Sequence, residues 1–189
     1  MKSILNFILE AGMLKQVPRS GWSVLGIKRA ESVAGHSFRC AVIGYLLARM
    51  EGAQSEEVLL MTLFNDLHEA RIGDLHKMAQ RYLNIQAAED HSFAEQIDKL
   101  PKAIKQELKA SRRKYRRQSS KAAIIARDAD ILECLIQAQE YYQQGFKQAA
   151  KFMRKAPGHL VTKSAKRLWR QAKTSDPNAW WVSLSEFKR

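Results

Sequence analysis

Apolar residues recur at three- and four-residue spacing along nearly the whole chain, and only nine Gly and four Pro interrupt its 189 residues. That period marks one face of a helix. No convincing alternating run suggests a buried strand, so the pattern predicts an all-α fold. Ile4, Leu5, Ile8, Leu9 and Leu14 share one side of a first helix over 2–15, which the turn formers of Val17-Pro18-Arg19-Ser20-Gly21-Trp22 end. A second helix starts at Ser32 or Gly35, carries Val42, Ile43, Leu46 and Leu47, reaches Met50 and stops at Gly52. Ser55 with Glu56 and Glu57 gives the next a cap and an acidic first turn, and it runs to about Arg71 before Gly73. A helical stretch over 74–83 precedes a polar region to Leu100 with no assigned element. Pro101 suits the first turn of another helix. Ser119-Ser120 begins a long helix through Tyr142, and two more near 146–154 and 159–173 precede the Trp180-Trp181 tail.

A chain of this length fits one domain with a real core. Its hydrophobic content of 46% is ordinary, but a formal net charge of +13 is not, and predicts attraction to anions. No segment reaches the roughly 18 apolar residues of a membrane span. The N-terminal apolar run is short and meets Glu10, so no signal peptide is expected. Cys40 and Cys134 lie in apolar helical patterns and read as reduced core thiols, which suits a cytoplasmic protein.

The positive charge is concentrated. Lys109, Arg112, Arg113, Lys114, Arg116 and Arg117 form one cluster. Between Tyr141 and Ser175 there is no acidic residue, and Lys163, Lys166, Arg167 and Arg170 follow one helical face. Such a face could hold nucleic acid. Without interleaved aromatics, a solvated basic surface is the favoured reading.

Acidic residues also cluster. On one helix, Asp66 and Glu69 stand three apart and Asn65 and Glu69 four apart, so each pair shares a face. Asp128 and Asp130 begin the long helix beside apolar Ile131, Leu132, Leu135 and Ile136. A carboxylate against buried surface is costly unless paired, and a bound cation removes that cost. Spacing alone does not establish a site.

Order and context add to this. Arg29-Ala30-Glu31-Ser32-Val33-Ala34-Gly35-His36-Ser37-Phe38-Arg39 resembles the first metal-histidine motif of the HD-domain phosphohydrolases, more narrowly of their small 5′-deoxynucleotidase branch. Phe64 to Asp74 resembles the next motif, in which His-Asp is followed three residues later by Glu and then by Gly-Asp. Gln118-Ser119-Ser120, Asp130, Glu133 and Gln137 to Tyr141 resemble the closing helix, and Val17 to Trp22 the segment before the first motif. The resemblance covers roughly residues 10–145. It implies a compact multi-helix bundle over 1–145, with 146–189 as a basic C-terminal helical extension packed on the same domain.

The resemblance also implies that His36, Asp66 and Asp130 hold one divalent cation (Mn, Co, Mg, Fe, Ni or Zn), with Glu69 and Asp74 as catalytic carboxylates. Such a cation acidifies water and neutralises phosphoryl charge. Arg19 and Trp22 fall in the segment matching the family's substrate loop, and Arg39 and Lys77 are plausible phosphate partners. For Trp22, a core or interface aromatic is an equal alternative. The substrate implied is a small nucleotide, favouring a deoxynucleoside 5′-monophosphate over a triphosphate, and the enzymes resembled are homodimers.

One position departs from the pattern. Asn65 stands where the family has the His of His-Asp. An amide offers a neutral oxygen in place of imidazole nitrogen, so an Asn65 ligand predicts a looser site for harder cations. On a continuous helix His68 lies about 200° from Asp66 and does not replace it. The sequence leaves open a weakened enzyme, a non-catalytic nucleotide or nucleic-acid binder, and a deliberate His-to-Asn change.

Overall fold

A computed structural model describes residues 1–182 and 184. The α-helices among them are α1 Lys2–Ala11, α2 Ser20–Ser23, α3 Val33–Glu51, α4 Ser55–Phe64, α5 Glu69–Ile72, α6 Lys77–Gln80, α7 Ile85–Asp98, α8 Lys102–Arg117, α9 Lys121–Gln143, α10 Ala150–Lys155, α11 Lys163–Ala172 and α12 Ala179–Val182. Strand-like pairing among the described residues is a single antiparallel bridge between Pro18 and Ser32. The all-α expectation holds.

Local chemistry sets the two long helices that carry the site. The Ser32 hydroxyl accepts from the Gly35 amide at 3.1 Å to start α3, and Gly52 closes it in a left-handed conformation at φ 64°. Ser120 caps α9 through the Ala123 amide at 3.1 Å. These helices cross with α4 at the centre, where Leu47, Val58, Ala126, Ala129 and Leu132 are fully buried. Each buried Leu or Val there contributes about 1.5–3 kcal/mol. The crossing is close because Gly44 has no side chain: a Cβ there would stand 2.9 Å from Val58 Cγ1.

Three expectations change. The helix expected over 55–71 stops at Phe64 and resumes at Glu69. Between them the backbone tightens to i→i+3 bonds, with Glu69 N on Asp66 O at 3.0 Å and Ala70 N on Leu67 O at 3.1 Å. Side chains hold the Asn65 carbonyl instead of a helical amide: His68 Nδ1 donates to it at 3.1 Å and Arg112 Nη1 at 3.2 Å. The polar region before Leu100 contains α7. Asn84 caps it through the Ala87 amide at 3.3 Å, and Phe93 and Ile97 are buried beneath it. Its buried polar residues serve the 65–68 turn, with Gln96 Nε2 donating to Leu67 O at 3.0 Å and Ser92 Oγ to His68 O at 3.3 Å. Helix α7 therefore adds second hydrogen bonds to the Leu67 and His68 carbonyls, which already accept the Ala70 and Arg71 amides, and ties the turn down. Finally, Pro101 is the residue before α8 rather than its first.

Asp128 and Asp130 turn to different tasks. Asp128 is fully buried and accepts from the amides of Val161 at 2.8 Å and Thr162 at 2.7 Å, and from the Thr162 hydroxyl at 2.6 Å. It fastens the segment before α11 to α9, and Leu160, Ala165 and Trp169 join the central core. Lys163, Lys166, Arg167 and Arg170 of α11 remain exposed. Among the described residues, no helix is long and apolar enough to cross a membrane.

Candidate metal centre

His36 is one turn into α3 and only 1% exposed. Its Nδ1 pairs with a carboxylate oxygen of Glu133 from α9. A carboxylate accepts only, so Nδ1 donates to Glu133 and Nε2 is the ring nitrogen that faces the acidic cluster. Nε2 lies 3.3 Å from Asp130 Oδ1 and 3.6 Å from Asp66 Oδ2. The bridge between Pro18 and Ser32 lays the Arg19 segment against the start of α3, with Arg19 N donating to Glu31 O at 2.9 Å. The 65–68 turn delivers Asp66 from a second side, and α9 delivers Asp130 from a third. These three sequence-separated donors meet at one nitrogen.

The surroundings carry an excess of acid. Glu69 is 8% exposed, and its Oε2 has no hydrogen-bond partner. Burial, followed by the Asp66 and Asp74 carboxylates, pushes its carboxyl up to about 10. Burial also opposes ionisation of Asp130, but His36, Arg127 and Arg19 hold that carboxyl well below the usual range. Burial pushes the Cys40 thiol up to about 12. An orphaned buried carboxylate oxygen beside converging nitrogen and carboxylate donors is what a divalent cation would satisfy. The residues fit the group. His36, Asp66 and Asp130 would hold the cation, which when bound would neutralise phosphoryl charge and acidify water beside Glu69.

The site opens into a cavity of about 840 Å³ lined by Asn65, Asp66, Glu69 and Asp130 on its acidic side. Arg19, Lys77, Arg112, Arg116 and Arg127 line it with positive charge, and Trp22 forms part of the wall. Arg19 is held firmly charged: burial opposes this, but the Asp66, Asp130, Asp74 and Glu69 carboxylates outweigh it. Asp74 fixes the loop that carries it, accepting from the Ser20 amide at 2.8 Å, with Arg19 Nη1 at 3.9 Å. Trp22 lies between the core and the cavity. It is 2% exposed in a core cluster with Tyr141, yet it borders the cavity, and its Nε1 donates to Glu31 at 2.9 Å. Lys77 is exposed at the rim, with its ammonium 3.1 Å from Gln80 Oε1.

Two residues depart from their expected roles. Arg39 faces α9 rather than the cavity. Its guanidinium donates to Glu133 at 2.9 and 2.8 Å, to Glu140 at 2.6 Å and to Gln137 at 2.5 Å. These contacts tie it to Glu133 and its neighbours on α9. Asn65 turns its amide nitrogen onto Asp66 Oδ1 at 2.7 Å, so it braces a donor residue from the side. His68 is directed away, with Nδ1 on the Asn65 carbonyl and Nε2 3.6 Å from Glu89. The sequence reading also missed Cys40. Its Sγ is 3.6 Å from His36 Nε2, and it groups with His36 and Asp130 as donors all within 4.8 Å of one another. The available signal was its position four residues after His36.

Human 5′-deoxynucleotidase HDDC2 is 31% identical over 145 residues, covering 74% of this chain and 69% of the relative. The 5′-deoxynucleotidase hdd1 of Schizosaccharomyces pombe is 25% identical over 197 aligned positions, covering 98% and 96%. The crystal structure of the PH0347 protein from Pyrococcus horikoshii superposes with a TM-score of 0.76 at 29% identity, covering 89% of this chain and 98% of the other. The HD domain family model matches residues 11–172, from the end of α1 through α11. By that match, the chain belongs to the HD domain family.

Proposed function

We propose that the chain is a divalent-cation-dependent phosphohydrolase of nucleotides, acting on deoxynucleoside 5′-monophosphates. The observation that carries this reading is the meeting of His36 Nε2 with Asp66 and Asp130 beside the unpartnered Glu69 Oε2. The names of the human and fission-yeast relatives supply the substrate class. In this reading His36, Asp66 and Asp130 are the ligands, and Asn65 acts through Asp66. With a cation at Asp66 favouring its ionised form, Glu69, whose Oε2 is unpartnered, would take the proton of the attacking water. Asp74 holds Arg19 in place; Arg19 and Lys77 meet the phosphate, and Trp22 packs against the sugar. Little covalent chemistry is asked of the protein, because phosphoryl transfer is accelerated mainly by position and charge.

The reading extends to a cytoplasmic homodimer, with 146–172 part of the same packing unit as the core. A second copy is the occupant that suits the exposed face of α3, where Phe38 is 68% exposed and Leu46 50%. Sedimentation equilibrium distinguishes the dimer from a monomer.

The test is a panel of deoxy- and ribonucleoside mono- and triphosphates, offered with Mn²⁺, Co²⁺ or Mg²⁺ to the protein and to Asn65→His. Phosphate release from deoxynucleoside monophosphates is expected. Pyrophosphate or triphosphate release would shift the substrate class. No release from any nucleotide by either protein would leave only nucleotide binding.

A further inference from the structure

We propose that Cys40 is a ligand of the same cation, giving this chain a His36–Cys40–Asp66–Asp130 donor set. The inference rests on reading the cavity as a cation site and deepens it by naming a fourth donor and the class of metal.

The geometry comes from one nitrogen. Around His36 Nε2 stand Cys40 Sγ at 3.6 Å, Asp130 Oδ1 at 3.3 Å and Asp66 Oδ2 at 3.6 Å. On a tetrahedral cation with nitrogen at about 2.1 Å and sulfur at about 2.3 Å, the two donors stand about 3.6 Å apart. A nitrogen and a carboxylate oxygen on that cation stand about 3.4 Å apart. The His36–Cys40 and His36–Asp130 separations therefore match a shared cation, and the donor atoms of those three residues all lie within 4.8 Å of one another, with Asp66 Oδ2 3.6 Å from His36 Nε2. His36 and Cys40 are four residues apart on one rigid helix, the spacing that places two side chains on one face. Cys40 is 2% exposed, so an aqueous ligand does not compete for its place.

The Cys40 donor also changes what Asn65 means. With its amide nitrogen on Asp66, Asn65 need not supply a fourth ligand, because Cys40 of α3 does so. A thiolate shifts preference toward Zn, Fe or Co and away from Mg and Ca. As the metal–sulfur bond forms, the thiol proton leaves to solvent, since the thiolate is the ligating form.

Cobalt(II) is the probe, added to the metal-free full chain and to Cys40→Ala, Cys40→Ser, Cys134→Ala and Asn65→His. The expected result is a near-ultraviolet thiolate-to-cobalt charge-transfer band in the wild type and in Cys134→Ala, where Cys40 is the remaining thiol. The band is absent from both Cys40 variants, and their cobalt affinity falls roughly tenfold or more, at least what loss of an outer-shell partner costs. Cobalt bound without that band, or a band that survives Cys40→Ala, overturns the inference while leaving the cation site in place. Failure of both wild type and Asn65→His to bind cobalt overturns the cation reading itself and this inference with it.

Discussion

Glu133 pairs with His36 Nδ1 from behind, so that Nε2 points at Asp66 and Asp130. The pairing is itself anchored, because Arg39 donates twice to the other oxygen of Glu133. The orientation of the ring is thereby set, with Nδ1 toward Glu133. Substituting Glu133→Gln leaves the shape but removes the charge that holds Nδ1–H toward it. Cation affinity should fall roughly 10- to 100-fold, the cost usual for such outer partners. Isothermal titration with Mn²⁺ or Co²⁺ checks this, and an unchanged affinity would remove Glu133 from the account.

Glu69→Gln should separate activity from stability. Loss of the base should lower turnover about 10²- to 10⁴-fold. In the metal-free protein the same change should stabilise the fold at alkaline pH. The Glu69 carboxyl has an ordinary value of 4.5 and is pushed up to about 10 in the fold, so the folded state holds a proton that the unfolded state releases. Stability therefore declines as pH rises from about 4.5 toward 10. Thermal melts of the metal-free proteins at pH 5 and pH 9 should show a smaller alkaline loss for Glu69→Gln. Parallel losses in both proteins would contradict the assignment.

Glu89 gives the opposite sign. Burial opposes its ionisation, but His68 and Arg116 hold its carboxyl down at about 2, against an ordinary 4.5. That contribution is complete above about pH 4.5 and is lost as pH falls toward 2, at roughly 1–3 kcal/mol. Acid titration of Glu89→Gln by circular dichroism should show a shallower loss over that window than the wild type shows.

The crossing of α3 with α4 should be intolerant of a single methyl group. Gly44→Ala places a Cβ 2.9 Å from Val58 Cγ1 and 3.2 Å from Thr62 Cγ2. Overpacking of this kind costs about 1–3 kcal/mol. Urea denaturation would detect it, and a midpoint equal to the wild type would show that the helices part freely.

Much of this architecture was readable because it is local. Ser32 and Ser120 announce their helices as caps, and Gly52 ends α3. The kinds and order of His36, Asp66 and Asp130 were also visible, and the structure sets the two carboxylates 3.6 and 3.3 Å from His36 Nε2. The break after Phe64 was not readable, since apolar spacing continues through Leu67 while the cause lies in Arg112, 47 residues away. Helix α7 was hidden because Ser92 and Gln96 turn inward to serve backbone carbonyls, leaving no full apolar stripe. Arg39 looked free to meet phosphate because its partners lie 94 to 101 residues ahead on α9. Cys40 reads in the sequence as a small core residue, because its neighbour His36 Nε2, 3.6 Å from Sγ, is set by the fold of the site.

The central claim is that one cation binds where α3, the 65–68 turn and α9 meet. Its most direct test is the stoichiometry of Co²⁺ or Mn²⁺ binding to the metal-free chain and to Asp130→Ala, measured by isothermal titration. One tight equivalent per chain, lost in Asp130→Ala, is the predicted result. No saturable binding to the wild type, or equal binding to the variant, would contradict the account.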